Sequence, residues 1–219
     1  MVPTIFRRLV PTTAAVIAAL VLPAAALADC PGATSPPAAA GGFSATLCLI
    51  NAQRTAHGLE PVASDSRLQA AAGAFARDMV DRRFFDHVSP GGATMMDRLH
   101  MAGWNPDGAW SAGENIAWGS GDLGTPARIV DAWMHSAGHR ANILNGTFTQ
   151  IGLGIADGAP QAGVSGAAAT YVTDFGAGGK IVPAATPAGK RPAARKPVAR
   201  CAKASRRSAR HARRCAGRR

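Results

Sequence analysis

The distribution of charge limits which part of this chain can fold. All thirteen acidic residues lie at or before Asp174, whereas Lys180–Arg219 carries fourteen lysines and arginines and no acid. The arm is rich in Pro and Ala at first (Pro183, Pro187, Pro192, Pro197) and then becomes Ser-Arg-Arg-Ser-Ala-Arg-His-Ala-Arg-Arg. A run of like charges without apolar periodicity cannot bury enough surface to offset its ordering entropy, so 180–219 is expected to be a disordered basic tail. Between Asp29 and Gly179, eight arginines face thirteen acids. The formal net charge of +11 therefore hides an acidic body joined to a basic arm. That body has room for one domain with a sizeable core, expected over 43–179.

The N-terminus reads as an export signal over 1–28. Arg7 and Arg8 precede an apolar stretch that is best from Ala14 to Leu22, and Ala26-Leu27-Ala28 supplies small residues for cleavage. The stretch is shorter than the roughly 20 residues that span a bilayer. Asp29 before Cys30 argues against a lipid-modified cysteine, so the mature chain is expected to start at Asp29, secreted and extracellular. A buried N-terminal helix is the plainer alternative. An exported chain with four cysteines and no C-x-x-C pair reads as disulfide-bonded. Proximity pairs Cys30 with Cys48 and Cys201 with Cys215, with other pairings or free thiols open. The first bridge would pin the Pro/Ala/Gly-rich leader 29–42 and contribute about 3 kcal/mol by restricting the unfolded chain.

Within the domain, periodicity points to an α+β fold. Phe43, Leu47 and Ile50 share one helical face, and Gly58 stops that helix. Ser64 or Asp65 caps a second helix carrying Leu68, Ala72, Phe75 and Met79, which runs to Phe84-Phe85 and delivers His87 at its end. Thr94–Ala102 predicts a short third helix stopped by Gly103. Pro126 opens a fourth with Ile129, Val130 and Trp133 as contacts. Glu114–Trp118 is short enough for a strand. Ile151, Leu153 and Ile155 alternate at strand spacing, as does Thr170–Phe175, and the Gly-rich segment between them predicts antiparallel neighbours.

Groups able to do chemistry are densest from Gly113 to Gly154. His87 precedes the loop signature Ser-Pro-Gly-Gly, and its plain reading is a cation at a helix C-terminus. Glu114 lies in an otherwise uncharged run from Gly108 to Ser120, where a carboxylate must find partners or shift its pKa. It could equally be a structural carboxylate. Ser136 and His139 share one helical face if the helix survives Gly138, or His139 simply caps that helix. Asn115, Arg140 and Asn142 read as scaffold, and Arg140 could pair with Glu114 and make the site structural. The chain has no G-x-S-x-G, no H-E-x-x-H and no phosphate loop.

Five short motifs stand in a fixed order: Cys48-Leu49-Ile50-Asn51 with Arg54, Phe84-Phe85-Asp86-His87-Val88-Ser89-Pro90, Gly113-Glu114-Asn115, the Trp133–Arg140 helix with Ser136 and Gly138-His139-Arg140, and Phe148-Thr149-Gln150-Ile151-Gly152. In this order they resemble the CAP superfamily (cysteine-rich secretory proteins, antigen 5 and pathogenesis-related proteins), in particular its bacterial secreted branch, over roughly Phe43–Gly176. The resemblance implies an α-β-α sandwich, a small antiparallel sheet flanked by about four helices. It also implies a central cleft where His87 and Glu114 meet a residue of the Trp133–His139 helix. Many members hold a divalent metal there through two histidines, which in this chain would be His87 and His139, with zinc as the expected ion and Glu114 beside them. The chain departs from the animal and plant pattern, placing Ser136 and Thr147 where a second Glu and a second His stand.

The resemblance leaves two classes of function open. One is a binding module whose cleft, lined by His87, Glu114, Ser136 and His139, takes a small ligand, a metal or a peptide. The other is a metal-assisted hydrolase, a peptidase in the first instance, with Glu114, His87 and His139 as its catalytic set. The basic arm is expected to hold anionic cell-wall polymers, lipid headgroups or other polyanions by charge; it contains no aromatic residue for stacking on bases. Truncation at Gly179 is expected to abolish retention on an anionic surface, and binding by the full chain should fall steeply with salt. Salt-insensitive retention in a bead-binding assay would show that specific contacts hold the arm instead.

Overall fold

The computed structural model describes residues 29–36 and 39–183. The expected export segment, the Cys201–Cys215 pair and the arm beyond Pro183 lie outside them. Helix α1 spans Ala39–Ala56, strand β1 Ala63–Ser64, α2 Ser66–Arg82, α3 Met95–Met101 and β2 Ser111–Ser120. A 3-10 turn at Gly121–Gly124 leads into α4, Pro126–His135, then α5, Ala137–Ile143, β3, Gln150–Asp157, and β4, Ala168–Ala177. The sheet order is β1-β3-β4-β2. Both long pairings are antiparallel, with Ile151 opposite Phe175 and Glu114 opposite Asp174. β1 pairs in parallel with β3 through Ala63–Gln150 and Ser64–Ile151.

The α-β-α sandwich is present, with α2 and α3 on one face of the sheet and α1, α4 and α5 on the other. Several details differ from expectation. The sheet is mixed, because the short link between α1 and α2 lies alongside β3 in the same direction. The described residues also form five helices, because the expected fourth helix breaks before His139. Ser136 is extended (φ −103°, ψ 122°), closing α4 and opening α5, so Gly138 lies inside a helix and does not mark the break. The strand expected at Glu114–Trp118 runs the full Ser111–Ser120, since each of its residues has a partner on β4.

Local chemistry sets the helix ends. The Asp65 side chain accepts the Arg67 and Leu68 N–H groups, which have no carbonyl partner in the first turn of α2. Arg83 takes a left-handed conformation (φ 57°) and stops α2, so His87 lies in the loop beyond the helix and not at its C-terminal turn. Thr94 and Asp97 form a reciprocal capping box on α3, which fixes where Arg98 leaves the helix.

Packing is tightest where α2 crosses β3. A Cβ placed on Gly152 would fall on the Leu68 backbone, and one on Gly154 on the Ala72 backbone. Two glycines, two apart on the strand, thus meet residues four apart on the helix, matching the periods of the two elements. Leu68, Ala72, Phe75, Ala76 and Met79 are consequently buried. On the opposite face, Leu49 and Ile50 of α1 pack with Trp133, Ile143, Ile151, Tyr171 and Phe175. Arg54, 1% exposed, crosses that layer and donates to the carbonyls of Glu60, Ile143, Asn145 and Phe148. Its pKa is lowered by burial, but the four carbonyls answer the charge without a carboxylate. Cys30 and Cys48 are joined, with Cα atoms 5.7 Å apart, pinning the leader to α1.

The domain boundary lies beyond Gly179. The Ser66 N–H donates to the Val182 carbonyl, the Val182 N–H to Asp65 Oδ2, and Arg67 to the Lys180 carbonyl. Residues 180–183, expected to begin the tail, therefore belong to the fold, and truncation after Ala184 is the cut that isolates the arm. Gly154→Ala is expected to destabilise the domain by about 3 kcal/mol, the upper range for overpacking, because backbone and not a flexible side chain blocks the added methyl. A urea-unfolding midpoint unchanged from wild type would show that α2 can lift from the sheet without cost.

Candidate functional site

The site grows from β2. Glu114 is buried, its side chain 3% exposed, and both its oxygens are engaged. Oε1 accepts from His87 Nδ1 at 2.8 Å, and Oε2 accepts from Arg98 Nη2 at 2.6 Å. Arg98 also donates through Nη1 to the His87 carbonyl at 3.1 Å and the Ala93 carbonyl at 3.0 Å. Its guanidinium carbon lies 3.4 Å from the centre of the Phe75 ring. One arginine of α3 thus ties the 83–94 loop, α2 and β2 together. The arginine at Glu114 is Arg98, not Arg140.

His87 remains half exposed, its side chain 52% open to solvent. With Nδ1 on Glu114, the opposite ring nitrogen, Nε2, is the one free to meet a ligand. Its pKa is raised by the hydrogen bond to Glu114, with partial burial opposing. His139 shifts the other way: burial lowers its pKa, and the His87 charge lowers it further. The two imidazoles therefore lie within electrostatic reach, and one is disposed to carry charge while the other stays neutral.

The α5 wall is attached along the free edge of β2. Asn142 Nδ2 donates to the Glu114 carbonyl at 3.1 Å and to Asn115 Oδ1 at 2.8 Å. Asn115 Nδ2 donates to the His139 carbonyl at 3.1 Å, and Trp133 Nε1 to the Ile116 carbonyl at 3.3 Å. These bonds satisfy backbone groups that an edge strand would otherwise expose, and they hold His139 in place. Gly113 permits the approach, since a Cβ there would stand 2.8 Å from Asn142 Oδ1. Ser136, half-buried, opens α5 one turn before His139 and makes no side-chain capping bond.

Of the expected set, His87 and Glu114 are in contact, His139 is within reach of His87, and Ser136 stands on the same helical turn as His139. Asp131 pairs with Arg128 and His135 on α4, away from Glu114. Two residues escaped the sequence reading. Arg98, within the expected third helix, was not singled out. Asp174 lay within an apolar alternating strand, which was the one signal that could have found it. It is 1% exposed, directly opposite Glu114, and burial pushes its carboxyl well above the usual carboxylate range, with Glu114 adding to the shift.

The residues present do not fit a zinc centre with three protein ligands. Glu114 spends both oxygens on Arg98 and His87, and a guanidinium already occupies the position from which a cation would approach it. Among the described residues, no group of three or more His, Cys, Asp and Glu side chains is placed to hold an ion. Glu114 orients the His87 ring instead, leaving Nε2 to exchange hydrogen bonds or protons with whatever enters.

The model of the cysteine-rich secretory protein family, CAP, matches residues 47–175. The uncharacterised protein YkwD of Bacillus subtilis (strain 168) is 41% identical over 122 residues, which is 55% of this chain and 45% of YkwD. The uncharacterised membrane protein YlbC of the same strain is 35% identical over 109 residues, 50% of this chain and 30% of YlbC. The chain spans less than half the length of either relative. Among solved structures, an extracellular protein containing a SCP domain from Bacillus anthracis aligns with a TM-score of 0.52 and 30% identity, covering 62% of this chain and 40% of that one. An outer surface protein of Borrelia burgdorferi shares the fold, with a TM-score of 0.53 and 21% identity over 63% of this chain and 93% of its own. The match spans more than half of the chain and takes in His87, Arg98, Glu114, His139 and Asp174, so the chain belongs to the cysteine-rich secretory protein (CAP) family.

Proposed function

We propose that this is an exported binding module that works at or outside the cell envelope and takes a peptide or small ligand in the cleft bordered by His87, Ser136 and His139. The observation that carries this reading is the engagement of both Glu114 oxygens, by His87 and by the buried Arg98. A carboxylate so placed supports a neighbouring imidazole; it is not free to activate water. The exposed His87 ring offers a charge-assisted donor, and the neutral His139 offers a second donor or acceptor. The extracellular SCP-domain protein of Bacillus anthracis and the Cys30–Cys48 disulfide support export. No helix among the described residues is long and apolar enough to cross a membrane. The basic residues beyond Pro183 would add retention on polyanions.

Titrating a pool of short peptides into the secreted full chain is expected to perturb the ring signals of His87 and His139 in NMR spectra, with or without a metal chelator. His87→Ala and His139→Ala should each weaken binding, and the double variant should lose less than the sum, because both remove the same site. Peptide turnover that disappears in Glu114→Gln and needs an added divalent metal would replace this reading with the hydrolase one.

The two histidines also predict opposite pH behaviour for the ligand-free domain. Glu114 favours the protonated His87 ring in the fold, so its contribution to stability is full below about pH 6.5 and is lost as pH rises through its raised folded value. His139 contributes above that pH, and its contribution is lost as pH falls, because burial resists its protonation. In thermal melts, His87→Gln should therefore remove a decline in stability on the alkaline side, and His139→Gln should remove one on the acid side. Identical pH profiles for both variants would contradict the assignment.

A further inference from the structure

Asp174 is the buried acid that the site as described leaves unused. It faces Glu114 across the β2–β4 pair and Gly152 across the β3–β4 pair, on the sheet face covered by α2. Along β4 its neighbours on that face are Val172 and Gly176. The first belongs to the Ala72–Phe75–Ile116 cluster, and the second lies against Trp104. Read as a carboxylate, Asp174 has no donor for either oxygen. The charged groups acting on it are Glu114 from β2 and Arg98 from α3. Gly152 on β3 and Leu68 on α2 bring no charge to it. Arg98 gives its two terminal nitrogens to Glu114, His87 and Ala93. Its remaining Nε is buried and makes no hydrogen bond to Asp174 or to any other group, so an ionised Asp174 would be a second negative charge in an apolar layer, attracted by Arg98 but hydrogen-bonded by nothing.

We propose that Asp174 is a positioning residue of the cleft: it keeps its proton inside the fold and donates it to Glu114. Directly opposed residues on an antiparallel pair place their Cβ atoms about 5 Å apart, which is the reach such a carboxyl–carboxylate bond needs. A proton on Asp174 turns an unanswered acceptor into a donor and leaves a single negative charge, on Glu114, beside Arg98. Glu114 is then held from three sides, by Arg98, His87 and Asp174. Its carboxylate cannot turn away from Nδ1, and His87 presents Nε2 to the cleft in a constant direction. The inference rests on reading the cleft as a binding site, but its test needs no ligand.

The experiment compares wild type, Asp174→Asn and Asp174→Leu as full chains. Infrared difference spectra at neutral pH should show the carbonyl stretch of one protonated carboxylic acid in wild type and its loss in Asp174→Asn. The NMR signal of the His87 Nδ1 proton should persist in wild type and in Asp174→Asn, whose amide still donates to Glu114. It should broaden or vanish in Asp174→Leu, which fills the space without a donor and can fold. Absence of the protonated-acid band from wild type would overturn the proposal. So would a His87 signal equally affected in both variants, or in neither. Failure of the cleft to bind peptides would leave all three spectra as stated, so the two readings fail separately.

Discussion

The structure depends on how closely α2 approaches β3. Gly152 and Gly154 remove the side chains that would hold a helix at the usual distance from a sheet, and the backbone of α2 rests on the strand. Everything on that face is set by this contact. Phe75 comes low enough to lie under the Arg98 guanidinium, and Asp174 is sealed from water directly opposite Gly152. Larger residues on β3 would move α2 outward, take Phe75 from beneath Arg98 and admit solvent to the acid pair.

Arg98 converts that packing into a site. Its guanidinium is fixed by two carbonyls, one aromatic face and the Glu114 carboxylate, a geometry for which lysine lacks both the planar fork and the number of donors. The 83–94 loop has no helix or strand of its own, yet His87 is held because its carbonyl and its ring nitrogen both report to the Arg98–Glu114 pair. On the other side, α5 is tied to β2 by amide side chains, so His139 approaches from an independent layer. His87 and His139 therefore stand on either side of a seam between the two helical layers, bridged at the edge of the sheet.

Arg54 plays the matching part beneath α5. It supplies donors to Ile143 and Asn145 at the end of that helix and to Phe148 at the approach to β3, where the chain turns from one element to the next. A buried guanidinium serving only backbone carbonyls is costly to leave unsatisfied, which makes the turn rigid. Arginines thus stabilise both sides of this seam by bonding to backbone in places where regular secondary structure cannot.

The sequence by itself determined most of the helices and strands and the family, and proximity favoured the Cys30–Cys48 bridge without excluding other pairings. Each of these is written in local patterns: apolar periodicity, caps such as Asp65 and Pro126, and motifs in a fixed order. It also singled out His87, Glu114 and His139, because polar residues in apolar runs must find partners. Which partners they find is a matter of distance between segments remote in the chain, and local pattern carries no such distance. Only the tertiary structure decided that Arg98 and not Arg140 meets Glu114, that Ser136 breaks the helix ahead of His139, and that residues 180–183 return to pair with Asp65. Asp174 was the least legible of all. Its neighbours in sequence describe an ordinary buried strand, and only the register of β4 against β2 brings its carboxyl opposite Glu114.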